Sequence, residues 1–71
     1  MNTKILEQLG ENIKKARMEK GFTQEFLAEK VNIHQTYVGK LEKGKSNPSI
    51  LLMYKISRVL GVELTELFNF K

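Results

Sequence analysis

An all-α fold of five short helices is predicted for this chain, on three observations. Apolar residues recur at intervals of three and four, as in Leu6, Leu9, Ile13 and Ala16 and again in Ile50, Met53, Ile56 and Leu60, the spacing of one helix face. The segments with this spacing end at Gly21, Asn32, Gly44 and Gly61, residue types that tolerate the left-handed backbone of a helix end. The chain is 71 residues long with no cysteine, so an apolar core alone must hold it. There is no repeat, linker or low-complexity tract, and residues 1–71 are read as one domain.

The elements follow in order. Asn2 or Thr3 can cap a first helix that runs to about Lys20. Thr23 caps a second, to about Val31. The third starts near Gln35, after Ile33 or His34, and ends at Gly44; Ser46, Asn47 and Pro48 make the next turn. A fourth spans roughly Ser49 to Leu60 and is expected to bury Ile50, Met53, Ile56 and Leu60. Thr65 to Phe68 adds a short fifth turn.

Helices two and three have what a tight helix-turn-helix requires. Ala28 offers a small side chain where the helices cross, and Asn32 sits where the chain must reverse. Leu27, Val31, Ile33, Val38 and Leu41 point inward at helical spacing, which leaves Gln35, Thr36, Gly39 and Lys40 facing out from the third helix. That face has the chemistry of DNA base reading. A Gln amide donates and accepts at once, matching adenine N6 and N7, and Thr offers a hydroxyl to several bases and a methyl to thymine. Lys40 lies at i+4 from Thr36, within reach of guanine O6 or N7, or of a phosphate. Gly39 costs its helix about 1 kcal/mol relative to alanine, which close approach of DNA to the main chain would explain.

From Leu9 to Phe68 the chain resembles the Cro and phage-repressor type of helix-turn-helix protein, also called the xenobiotic-response-element family. The resemblance is carried by Leu9-Gly10, Ile13 and Arg17, by Gly21-Phe22-Thr23-Gln24, and by Lys40-Leu41-Glu42-Lys43-Gly44-Lys45 with Asn47-Pro48-Ser49. It implies a compact five-helix lambda-repressor-like DNA-binding domain in which the positions matching the outward face of helix three read bases. It further implies that Thr23 and Gln24 clamp the backbone of one strand, and that Arg17 and Glu42 form a structural ion pair joining helix one to the end of helix three. Thr36-Tyr37-Val38-Gly39 also looks like the controller proteins of restriction-modification systems.

The net charge is only +4, so its distribution matters more than its size. Residues 1–34 carry six basic and five acidic side chains, whereas residues 35–61 carry five basic ones against Glu42 alone. A charge run by itself is more often a solvated face than a site; its coincidence with the motif is what suggests a phosphate-binding surface. Candidates for phosphate contact are Thr23 and Gln24 at the start of helix two, where free N–H groups favour an anion, and Lys43, Lys45, Ser46 and Asn47 in the following loop. His34 fits a helix cap or a phosphate contact, and Tyr37 can bury its ring while its hydroxyl meets phosphate. Thr23 has an equal claim as a purely structural cap.

One reading helix contacts too few bases for useful specificity, so a homodimer on a near-palindromic double-stranded operator is expected. Leu52 and Val59 share a flank of helix four, and Phe68 and Phe70 add apolar surface at the end of the chain; these four are the candidates for a dimer interface. An antitoxin or other partner-binding protein on the same fold is the alternative. Catalysis has little to work with, since the serines lack a nearby histidine and no glycine-rich phosphate loop is present. His34 has no second ligand at useful spacing, so no metal is expected; a chain of 71 residues has no room for a ligand domain, and no cofactor or small-molecule ligand is expected either. No segment approaches the roughly 18 apolar residues of a membrane span, and early charges at Lys4, Glu7 and Glu11 interrupt any signal-like run. The expected setting is the cytoplasm, without a membrane partner.

Overall fold

The computed structural model describes residues 4–70, which form five α-helices: α1 (Lys4–Glu19), α2 (Gln24–Val31), α3 (Gln35–Glu42), α4 (Ile50–Leu60) and α5 (Leu64–Leu67). Among the described residues there is no strand. The expected cap at Asn2 or Thr3 lies outside these residues.

Each helix is delimited by the chemistry of its ends. Thr23 caps α2 by accepting the Phe26 N–H at 2.9 Å through its hydroxyl, and Ser49 caps α4 by accepting the Leu52 N–H at 3.1 Å. Asn32 ends α2 in the left-handed conformation, φ 60° and ψ 49°, with its N–H on the last carbonyls of the helix. α5 starts at Leu64, one residue earlier than the sequence suggests, because the Glu66 carboxylate reaches back to accept the Glu63 N–H at 2.7 Å. α3 closes at Glu42, and Gly44 completes the reversal beyond it.

The core is Leu9, Ile13, Leu27, Ala28, Val31, Val38, Leu41, Met53, Ile56, Leu60 and Leu67. Every helix therefore contributes, and the inward positions expected of α2 and α3 are buried, with Ile33 half-buried against them. Ile50 departs from expectation. Its spacing puts it on the same face of α4 as the buried residues, yet it is 64% exposed: it is the first residue of the helix, and the buried residues begin one turn later with Met53 and continue through Ile56, Ser57 and Leu60. Ser57 satisfies its hydroxyl by donating to the Tyr54 carbonyl at 2.7 Å.

Two glycines fix how α1 meets the end of α3. A Cβ on Gly10 would collide with the Leu41 carbonyl and sit 2.6 Å from the Glu42 carbonyl oxygen, and one on Gly44 would lie 2.7 Å from the Glu7 Cα. Backbone thus packs on backbone at that crossing. At the other end of the chain, Asn12 of α1 donates to the Leu67 and Asn69 carbonyls at 2.9 and 3.2 Å, which ties the tail to α1.

Candidate nucleic-acid interface

α3 is clamped at its C-terminal end and open along its N-terminal half. The clamp begins with Arg17, which is buried in α1. Its Nε donates to Glu42 Oε2 at 2.6 Å, its Nη2 to Oε1 at 3.1 Å, and its Nη1 to the Phe22 carbonyl at 2.7 Å. This two-point fork fixes the last turn of α3 relative to both α1 and the start of the motif. Glu42 is itself buried, so the acid closest to the basic stretch is paired and kept from solvent.

The free half of α3 forms one wall of an open groove. Gln24, Gln35, Thr36, Gly39, Lys40, Lys43 and Lys45 line it, which gives three lysines and no carboxylate. Gln35, Thr36 and Lys40 are exposed, whereas Gly39 is half-buried. The glycine is not demanded by packing: a Cβ there would meet only the Gln24 side-chain oxygen, at an ordinary 3.8 Å. His34 is the cap of α3, with its Nδ1 accepting the Thr36 N–H at 3.1 Å. The N-terminal turn of α3 is thus held in helical form where its side chains stand free.

Of the residues proposed for DNA contact on sequence grounds, the groove gathers Gln24, Gln35, Thr36, Gly39, Lys40, Lys43 and Lys45. Thr23, His34, Tyr37, Ser46 and Asn47 lie outside its lining. Thr23 and His34 are occupied as caps, and Tyr37 is half-buried against the core. Gln24 has a role that sequence reasoning missed: its Nε2 donates to Glu42 Oε1 at 3.0 Å. The amide that opens α2 is therefore held by the same carboxylate that pairs with Arg17. Gly10 is a further position whose role sequence reasoning missed; its place in the interior of an otherwise regular helix is the available signal of a close crossing.

The Helix-turn-helix family pattern matches residues 13–67, from the middle of α1 to the end of α5. This chain belongs to the helix-turn-helix family. An uncharacterized HTH-type transcriptional regulator of Archaeoglobus fulgidus is 47% identical over 58 residues, 82% of this chain and 83% of that protein. The fold is similar to the restriction-modification controller protein C.AhdI from Aeromonas hydrophila, with a TM-score of 0.85 and 35% identity, covering 89% of this chain and 96% of that one. It is likewise similar to SinR, the master regulator for biofilm formation, in complex with DNA: TM-score 0.81, 37% identity, 86% of this chain and 98% of the other. The expected kinship with helix-turn-helix regulators, controller proteins among them, therefore holds, and the chain is a DNA-binding transcriptional regulator rather than an enzyme. No described helix of this helix-turn-helix chain is long and apolar enough to cross a membrane.

Proposed function

We propose that the protein binds a near-palindromic double-stranded operator as a twofold dimer, with α3 lying in the major groove of each half-site. The observation that carries this reading is the groove beside α3, where exposed Gln35 and Thr36 stand next to three lysines and no acid. Gln35, Thr36 and Lys40 face base edges in this arrangement, and Gly39 lets the duplex come close to the helix axis. Lys43 and Lys45 neutralise phosphates, with Ser46 and Asn47 beside them, while Thr23, Gln24, His34 and Tyr37 border the backbone of the other strand. Regulation follows from occupancy of the operator by the dimer, in the cytoplasm.

Selection of bound sequences from a random DNA pool, followed by affinity at several salt concentrations, tests this. A near-palindrome with half-sites about ten base pairs apart and a steep negative salt slope is expected. Absence of any enriched sequence would point instead to a partner-binding protein.

A further inference from the structure

Leu52, Val59, Phe68 and Phe70, the side chains that the sequence offers for a dimer interface, are all half-buried against the core, so part of each is already spent on the fold. The polar side chains of the groove beside α3 are freer, with one exception. Gln35, Thr36 and the three lysines make no side-chain hydrogen bond among the described residues, whereas the half-buried Gln24 amide is held by Glu42 at 3.0 Å. That bond decides which way the amide faces. A carboxylate paired with a guanidinium has only acceptor oxygens, so Gln24 turns its NH2 group toward Glu42 and its Oε1 away. The oxygen accepts no hydrogen bond among the described residues. It lies 3.8 Å from the place where a Cβ on Gly39 would stand, on the outward face of α3.

We infer that Gln24 is a base reader: its Oε1 accepts from the amino group of one base, adenine N6 or cytosine N4, through the opening that Gly39 leaves in α3. The inference rests on the operator reading above and adds a base contact to a residue that otherwise borders the backbone. It also gives Gly39 a reason. Packing does not demand a glycine there, and glycine weakens a helix, but a side chain at that position would stand over the amide oxygen. The chemistry of DNA narrows the partner. Phosphate oxygens only accept, as do thymine O4 and guanine O6 and N7, so none of them can satisfy Oε1. The amino groups of adenine and cytosine are the hydrogen-bond donors of the major groove.

Arg17 and Glu42 make the contact selective. Arg17 holds Glu42 by two bonds, and Glu42 holds Gln24 through one of the same oxygens. Rotating the amide by half a turn would set its oxygen against that carboxylate. A free glutamine such as Gln35 can present either its donor or its acceptor to a base edge, whereas Gln24 can present only the acceptor. Opposite a base amine the oxygen is paired; opposite thymine O4 or guanine O6 two acceptors meet and both stay unpaired. Glu42 is thus a positioning residue for DNA recognition, acting through Gln24.

The test measures full-chain Gln24→Met and Gly39→Ala against every single-base variant of the selected operator, with Gln35→Ala and Lys40→Ala as references. Thermal unfolding checks that each variant keeps the fold, and Gly39→Ala reads the contact with the Gln24–Glu42 bond left in place. At one position in each half-site the parent should prefer one base by about three- to tenfold, the worth of one hydrogen bond. Gln24→Met should lose that preference, Gly39→Ala should lose the same one, and the double variant should lose no more there. A duplex in which that base lacks only its amino group should weaken the parent by a similar factor and make no difference to Gln24→Met. Equal weakening of Gln24→Met on all sequences would overturn the base contact, with the operator reading intact. Relaxation only at a base pair that Gln35→Ala or Lys40→Ala also relaxes would overturn it too, since the amide would then act through that side chain. Should the parent itself enrich no palindrome, the operator reading falls first, and this contact with it.

Discussion

Gln24 Nε2 and Arg17 Nη2 donate to the same oxygen, Glu42 Oε1, at 3.0 and 3.1 Å. One buried carboxylate therefore joins α1, α2 and α3, and connects the interior of the fold to an amide that lines the groove. Arg17→Ala should lower stability by about 3 kcal/mol or more, because it leaves Glu42 charged, buried and without its cation. Denaturant titration measures this directly. A loss under 1 kcal/mol would mean that the pair contributes little to the fold. The double variant Arg17→Met with Glu42→Leu should recover most of that stability, since apolar replacement of a whole buried pair is often neutral or better. It should still bind DNA less well than the parent, because Gln24 loses its anchor.

Gly39 is a second place where stability and binding are expected to part. The helix has room for a methyl group, with only Gln24 Oε1 at 3.8 Å from it. Gly39→Ala should therefore raise stability, by up to about 1 kcal/mol, and weaken operator binding if the duplex approaches the main chain there. The two readouts are the unfolding midpoint and the affinity for the selected site. Improved stability with unchanged affinity would remove Gly39 from the interface.

Much of this architecture was legible in local chemistry. Asn32, Gly44 and Gly61 mark reversals because the backbone there adopts left-handed angles, and Thr23 and Ser49 mark starts because their hydroxyls accept orphan N–H groups. What escaped depends on partners distant in sequence. Gln24 and Glu42 are not a recognisable pair until α2 and α3 are packed, and Asn12 meets the tail only once α5 lies on α1. Ile50 escaped for a different reason: its spacing fits the buried stripe, but it is the first residue of α4, and the buried residues of that helix begin one turn later at Met53. Six of the seven groove residues were legible as a set because they share α3 and the loop after it, and Gln24 joins them from the start of α2. Their division between bases and phosphates was not, because it depends on a duplex and not on the chain alone.

The turn between α2 and α3 allows a clean test of backbone cause. Asn32 has φ 60°, ψ 49°, and its side chain is exposed. Asn32→Gly should be nearly neutral, since glycine adopts that conformation freely, whereas Asn32→Val should cost about 2 kcal/mol from left-handed strain in a β-branched residue. Equal stability of the two variants would show that the turn relaxes and that the left-handed angle is not required.

Lys40 and Lys43 both line the groove and both are exposed, yet they stand differently on the element that would enter the duplex. Lys40 is inside α3, one turn after Thr36, whereas Lys43 is the residue that closes it. A lysine on the reading face can reach guanine O6 or N7, whereas a lysine that closes the helix is placed to neutralise phosphate. Lys43→Ala should therefore weaken binding to all sequences alike and reduce the salt slope by about 1 per protomer. Lys40→Ala, measured against single-base variants of the selected operator, should instead relax preference at one position in each half-site, a loss of about 1–3 kcal/mol of discrimination. If Lys40→Ala behaves as Lys43→Ala does, Gln35 and Thr36 are left as the polar readers, and Lys40 joins the phosphate contacts.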